Sequence, residues 1–364
     1  MSGPKKIFIA ATMQNDGKTT FSMGFIMTLK KRFKKIGFIK PIGQRYLIEQ
    51  GYKVDEDSVL IENICKIKCQ LNDMSPIAIE KGFTERYIMK GGRASLVDRI
   101  NESFERVSKG MDLVVIEGTG HAGVGSCFDL SNAAVAKILD APVMLITSGG
   151  VGRPIDEAML NTALFQKEGV RLLGVIVNKV IPSKYEKVKG LVNKGFKRLG
   201  LDVYGVIPYK KLLSNPSVAD VLDETGGRVL SGKERLSNLV DKTLVGAMEP
   251  HEALQYIEDG CLILTPGDRE DIILAATGMH LSRDSGVKLS GIVLSGGIIP
   301  HEETLDLVKK AGIPLILTDN DTYTVASKIH DITVKIKPED KSKIASAIGL
   351  IEDYVNVDGI IDKL

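Results

Sequence analysis

The sequence predicts an α/β protein: a parallel sheet with helices on both faces over residues 1–212, a second, smaller α/β domain over 213–345, and a closing helix and tail over 346–364. Three observations carry this expectation. Short apolar runs alternate with stretches of helical spacing from Ile7 to Tyr209, the order a parallel sheet requires. The runs are continuous in apolar residues, as strands covered on both faces are. The alternation breaks at Leu212 to Gly227, where Pro216, Gly226 and Gly227 mark a boundary, and then resumes.

The elements follow in order. Ile7, Phe8 and Ile9 form the first buried strand, and residues 21–31 have helical spacing. Residues 37–42 read as the second strand, 57–65 and 95–110 as helices, with Ser95 as N-cap and Asp98 as its acidic partner. Strand 112–118 ends at Glu117; helix 129–139 has Asp129 or Ser131 at its cap; strand 142–150 runs into Gly149, Gly150 and Gly152. Pro154 sits at an expected first helical position. Strands 172–180 and 202–209 flank a helix over 183–199. Beyond the boundary, helices are expected at 233–242, 252–259, 271–282, 302–311 and 323–330, and strands at 261–266, 289–296, 314–318 and 332–336. An amphipathic helix over 338–355 closes the chain.

Composition narrows the function. At 364 residues the chain suits two domains, or three by length alone. With 43% hydrophobic and 26% charged residues it is of soluble globular type. A net charge of +2 gives no argument for nucleic acid or an acidic membrane surface. No apolar run approaches the roughly 18 residues of a membrane span, and the apolar stretch after Lys5 and Lys6 reads as a first strand, not a signal peptide. Cys65, Cys69, Cys127 and Cys261 are too few for a disulfide framework, and no His or Cys completes a zinc set beside Cys65 and Cys69. A reduced, cytoplasmic setting fits.

The chemistry concentrates after the first strand, where the loop ends in Asp16-Gly17-Lys18-Thr19-Thr20 and opens a helix. Strand, glycine loop, Lys-Thr and helix make the P-loop arrangement. Loop N–H groups and the positive end of the helix cradle phosphate oxygens. Gly17 admits the anion without a side chain in the way. Lys18 reaches the β- and γ-phosphates, and Thr19 binds Mg²⁺ through its hydroxyl. Asn15, Asp16, Gly17, Lys18, Thr19 and Thr20 are therefore expected to bind the nucleotide. The pattern departs from GxxxxGK[ST] at its first position, Thr12. Ligands of such sheets lie beyond the carboxyl ends of the strands. Lys40, Glu117, the 149–152 loop and Asn178-Lys179 should converge there with the P-loop. Arg45, Arg86, Arg93 and Arg153 are candidates for its mouth. The polar segment 81–93 either closes over a phosphate or carboxylate or is a solvated loop.

Residues 10–20 resemble the P-loop of dethiobiotin synthetase, with Ala11 where that family has its first glycine. Phe38 to Gln44 resembles the family's Lys-Pro segment, Val114 to Gly120 its Glu-Gly segment and Leu172 to Val180 its base-binding segment. The match is closer still to the dethiobiotin-synthetase-like region of long phosphate acetyltransferases. This resemblance implies ATP and Mg²⁺ as cofactors. It implies Lys18 and Thr19 at phosphate and metal, Asp57 and Glu117 as further metal residues, Asn178 as adenine reader and Lys40 beside a substrate; Lys18, Lys40 and Glu117 form the catalytic set. Glu117-Gly118-Thr119-Gly120-His121 departs from the family's Glu-Gly-Ala-Gly-Gly, so biotin-pathway activity carries over poorly. Met13 stands where ParA/MinD-type ATPases have a second lysine, which argues against that branch.

Residues 213–345 resemble the DRTGG domain through Leu264 to Ala276, Gly291 to Gly297 and Thr318 to Ile329, and that implies a regulatory or assembly role. Asp268 is expected to cap the following helix, with Glu270 and Asp271 in its first turn. A ligand pocket or subunit contact at Arg269, Ser295 and Asp321 is the alternative. Three functions stay open. One is a Mg²⁺-dependent ATP-binding protein with ATPase or phosphoryl-transfer activity and a regulatory second domain. The others are an ATP-dependent ligase acting on a small carboxylate or carbamate, and a non-catalytic nucleotide sensor. Expected partners are a nucleotide, a small carboxylate and a second copy of the chain, with neither nucleic acid nor membrane. Acetyltransferase activity is not expected, since the chain ends where that catalytic domain would begin.

Overall fold

The computed structural model describes residues 3–332 and 334–364, in two compact units: Met1–Tyr209 with Ile336–Leu364, and Lys210–Lys335. The first unit is built on six parallel strands: β1 (Lys5–Ala11), β2 (Ile36–Ile39), β3 (Leu113–Glu117), β4 (Val143–Thr147), β5 (Leu172–Val180) and β6 (Val203–Pro208). Their order is β6-β5-β4-β1-β3-β2. The middle strands are buried along their length, β3 and β4 entirely, which explains their unbroken apolar character. Strand order reverses beside β1, so the loop after β1 lies at the crevice where such sheets take ligands.

Helices α1 (Lys18–Leu29), α2 (Glu56–Cys65), α3 (Phe83–Lys90), α4 (Arg93–Ser108), α5 (Asn132–Ile138), α6 (Gly152–Lys167) and α7 (Tyr185–Arg198) accompany this sheet. Several differ from expectation for identifiable reasons. α3 forms within the segment expected as a polar loop. Helix α4 begins at Arg93, after Gly91 and Gly92 at φ 69° and 123°. Ser95 is therefore inside the first turn and is not its N-cap. Ser131, not Asp129, caps α5, accepting from the Ala134 N–H at 3.1 Å. Pro154 is the third residue of α6, not the first.

The second unit has strands β7 (Arg228–Ser231), β8 (Lys242–Val245), β9 (Cys261–Pro266), β10 (Gly291–Ser295) and β11 (Leu315–Leu317), in the order β7-β11-β10-β9-β8. Only β7 runs antiparallel, against β11. Its helices include α8 (Val218–Thr225), α9 (Glu270–Leu281), α10 (Glu302–Ala311) and α11 (Thr322–His330). Ile263 and Leu294 face one core, and Leu262, Leu264 and Val293 face the other, so helices cover both sides.

The helix expected at 233–242 is instead a single 3-10 turn, Lys233–Arg235, ahead of β8. Tertiary pairing overrides helical spacing there. The Val218 N–H donates to the Asn238 carbonyl at 2.9 Å, and the Val240 N–H to the Pro216 carbonyl at 2.8 Å. Conversely, α8 forms within the supposed boundary, closed at its start by a reciprocal Ser217–Asp220 capping box and at its end by Gly226 at φ 65°. Of the strand expected over 332–336, Thr333 lies outside the described residues and the other four belong to no strand.

Helix α12 (Lys341–Tyr354) belongs to the first unit, where it packs on α1. Gly24 permits the approach: a Cβ there would lie 2.8 Å from both the Ala347 carbonyl oxygen and Ile351 Cγ1. This cover explains why α1 is buried almost all round, through Phe21, Met23, Phe25, Ile26 and Leu29. Beyond α12, Val355 bridges Gly205 and the Asn356 N–H donates to the Tyr204 carbonyl at 2.7 Å, pairing part of the otherwise open edge of β6.

Candidate functional site

The loop between β1 and α1 closes on itself. The Asp16 carboxylate accepts from the Thr12 hydroxyl at 2.8 Å and the Met13 N–H at 2.7 Å. Thr12 also meets the Thr147 hydroxyl at the end of β4, at 3.2 Å. Burial pushes the Asp16 carboxyl above its ordinary value, against the hydrogen bonds and the Lys18 charge. The Asp16 side chain is thus a staple within the loop. Gly17 sits at φ 93°, and a Cβ on it would lie 2.5 Å from Asn178 Nδ2, so only glycine fits without displacing Asn178.

Strand ends bring the charged groups together. Lys18 Nζ donates to the Gly120 carbonyl at 3.1 Å and approaches that of Met13 at 3.5 Å. Burial lowers the Lys18 ammonium below its ordinary value, opposed by Glu117 and reinforced by Lys40. The Thr19 hydroxyl donates to Glu117 Oε1 at 2.9 Å. The other oxygen, Glu117 Oε2, is buried without a hydrogen-bond partner. Burial, then the Asp57 charge, pushes the Glu117 carboxyl up to about 7, against the pull of Lys40 and of the nearby Ser22 and Thr19 hydroxyls. Such an atom is costly unless something positive occupies the space beside it.

Lys40, at the end of β2, ties this carboxylate to two more. Its Nζ lies 2.8 Å from Asp55 Oδ1, is bonded to Asp57, and stands 4.0 Å from Glu117 Oε1. Burial alone would lower the Lys40 ammonium; Asp57, Asp55 and Glu117 together hold it well above its ordinary value. Asp55 in turn caps α2, accepting from the Asp57 N–H at 3.0 Å. Among the described residues no group of three or more His, Cys, Asp or Glu side chains is arranged to hold a metal: the carboxylates here gather on an ammonium.

Asn178 and Lys179, at the end of β5, grip the loop. Asn178 Nδ2 donates to the Asp16 carbonyl at 2.8 Å, and Lys179 Nζ to the Asn15 carbonyl at 2.7 Å. Thr20 lies in the first turn of α1, half-buried. Arg86 donates to the Lys81 carbonyl, Arg93 to that of Asp129 and Arg153 to Glu157, with the Asp16 charge within reach of Arg153, while Arg45 is exposed.

Sequence reasoning missed the residues that bolt these loops down. Asn132 accepts from the Thr119 N–H at 3.0 Å and donates to the Thr119 and His121 carbonyls at 2.7 Å each. Asn161 accepts from the Ala122 N–H at 2.7 Å and donates to the Thr12 carbonyl at 3.2 Å. Both asparagines are helical residues in no motif, and only the fold reveals what they hold. Asp55 carried a signal, an acid before a helix, that an N-cap search would have found.

In the second unit Arg269, not Asp268, occupies the N-cap position of α9, and no side chain caps that end. Glu270 and Asp271 stand in the first turn as expected. Arg269 donates to the Met248 carbonyl at 2.9 Å and to Asp271, whereas Ser295 pairs with Thr322 at 2.7 Å and Asp321 caps α11. The Ser295–Thr322 bond joins the end of β10 to the start of α11, beside Asp321, and Ser295 pairs in register with Pro266, three residues ahead of Arg269.

Residues 5–217 match the AAA domain family and residues 220–332 the DRTGG domain. The phosphate acetyltransferase of Nitratidesulfovibrio vulgaris is 28% identical over 360 residues, covering 96% of this chain and 50% of that protein. That of Synechocystis sp. is 25% identical over 368 residues, covering 98% and 51%. The chain therefore spans about half the length of the curated relatives it matches. Among solved structures, the MinC:MinD cell division protein complex of Aquifex aeolicus aligns at 15% identity and a TM-score of 0.37, over 57% of this chain and 83% of that one. Among the described residues no helix is long and apolar enough to cross a membrane. With its P-loop domain followed by a DRTGG domain, in the order of the N-terminal region of long phosphate acetyltransferases, the chain belongs to the AAA domain family.

Proposed function

We propose that the first unit binds ATP with Mg²⁺ at the P-loop and hydrolyses it or transfers its terminal phosphoryl group, and that the DRTGG unit regulates this activity. The observation that carries the reading is the partnerless Glu117 Oε2 beside the Thr19 hydroxyl. A hydroxyl and carboxylate oxygens are the donors a hard divalent cation prefers, with phosphate and water completing its shell. Thr19, Glu117 and Asp57 would hold Mg²⁺, which would supply charge neutralisation on the phosphoryl oxygens. The chain's own residues do the rest. Loop N–H groups and the start of α1 receive the phosphates. Lys18 exchanges two backbone carbonyls for phosphate oxygens. Lys40 stands among Asp55, Asp57 and Glu117 and pulls the Glu117 carboxyl back toward its ordinary value. Among the described residues Asn178 has one N–H left beyond its bond to Asp16, and its Oδ1 accepts only from the Lys179 N–H at 2.9 Å. It therefore retains capacity to read an adenine edge.

No observation favours the ligase reading over this one, since Lys40 is engaged by its own carboxylates. Calorimetric titration of the full chain with MgATP tests the proposal. A charge-assisted hydrogen bond contributes about 1.5–3 kcal/mol, so Lys18→Ala should weaken binding by roughly 10- to 150-fold. Equal affinity in both proteins would overturn it.

A further inference from the structure

The loop's own geometry assigns a role to Lys179. In a trans peptide the C=O and N–H point in opposite directions. Lys179 Nζ holds the Asn15 carbonyl at 2.7 Å, so the N–H of the same peptide, that of Asp16, is turned the other way. Asn178 Nδ2 holds the next carbonyl, that of Asp16, at 2.8 Å, and so turns away the Gly17 N–H. Among the described residues the Gly17 N–H donates to no protein acceptor, and the Asp16 N–H meets only the Met13 carbonyl across the turn at Gln14 and Asn15, too loosely for a well-formed hydrogen bond.

The arrangement is maintained against resistance. Asn15 and Lys179 are both non-glycine residues in the left-handed region, at φ 67° and 59°, a conformation asparagine tolerates and lysine rarely adopts. Gly149 buttresses the second of them: a Cβ there would lie 2.4 Å from the Lys179 carbonyl oxygen. The lysine stem runs along the loop, its Cε 4.0 Å from where a Gly17 Cβ would be.

We infer that Lys179 is a positioning residue for polyphosphate. By gripping the Asn15 carbonyl it presents the Asp16 N–H to the anion, as Asn178 presents that of Gly17. This inference rests on the nucleotide reading of the same site. The test compares wild-type protein with Lys179→Met, which keeps the stem and loses the donor, and Lys179→Arg, which restores a donor. MgATP affinity is measured by calorimetry, the Asp16 amide signal by NMR and folding by thermal melting. Lys179→Met should bind MgATP about 10-fold more weakly, lose the nucleotide-induced shift of the Asp16 amide and melt with the wild type; Lys179→Arg should recover part of both losses. If wild-type protein binds MgATP but Lys179→Met binds it equally well, or keeps the Asp16 shift, the role of Lys179 is refuted and the nucleotide reading stands. Should Lys179→Met melt early, Lys179→Arg decides: a folded Arg variant without recovery refutes the role. Wild-type protein that binds no MgATP removes both.

Discussion

Lys40→Met withdraws the ammonium around which two buried carboxylates and the half-buried Asp57 gather. Asp55 and Asp57 are bonded to it and Glu117 is 4.0 Å away; Lys40 is 6% exposed, and Asp55 and Glu117 are each 1% exposed. Methionine keeps most of the stem and none of the charge. Removing one partner of a buried pair costs about 3–5 kcal/mol, because the other charge is left uncompensated. The cost depends on pH. Burial, first of all, holds the Asp55 and Glu117 carboxyls above their ordinary values, and Lys40 pulls both down; without it both rise further. A carboxyl raised in the folded state contributes stability that is full below its unfolded value and lost as pH rises through its folded value. The variant should therefore lose most at pH 8 and least at pH 5, each tenfold gain in a carboxyl's proton affinity adding about 1.4 kcal/mol to the difference. Urea unfolding of the full chain, followed as two transitions because there are two units, reads this directly. A loss under about 1 kcal/mol, or the same loss at both pH values, would refute the reasoning.

Three further outcomes follow. Gly17→Ala should lower MgATP affinity about 10-fold, since its Cβ would displace Asn178 at 2.5 Å from φ 93°; calorimetry checks it. In wild-type protein, Mg²⁺-dependent nucleotide affinity should fall as pH drops through about 7, where a proton competes for Glu117. In Glu117→Gln that slope should flatten. Gly24→Leu should force α12 off α1 at a cost of about 1–3 kcal/mol, visible as faster hydrogen exchange over Lys341–Tyr354.

Buried parallel strands were legible because every residue in them is apolar or nearly so: 172–180 and 261–266 agree end to end with β5 and β9. The Lys18, Lys40, Glu117 and Asn178 cluster was legible for a topological reason, since polar residues ending parallel strands share one edge. Residues 233–242 were misread because their backbone partners, Pro216 and Ser290, are far away in sequence. The return of α12 to α1 was equally hidden. Gly24 is only one small residue in an apolar helix until Ala347 lies against it. Asp16 shows the limit for side chains. Its place in the P-loop was plain, but not that its carboxylate would turn back onto Thr12 and Met13.

The most direct measurement is a crystal structure of the full chain with Mg²⁺ and a non-hydrolysable ATP analogue. Lys18 Nζ is expected to have moved from the Gly120 carbonyl onto phosphate oxygens, with the metal between the Thr19 hydroxyl and Glu117. Lys18 still on Gly120, with the analogue absent or bound elsewhere, would contradict nucleotide binding at the P-loop.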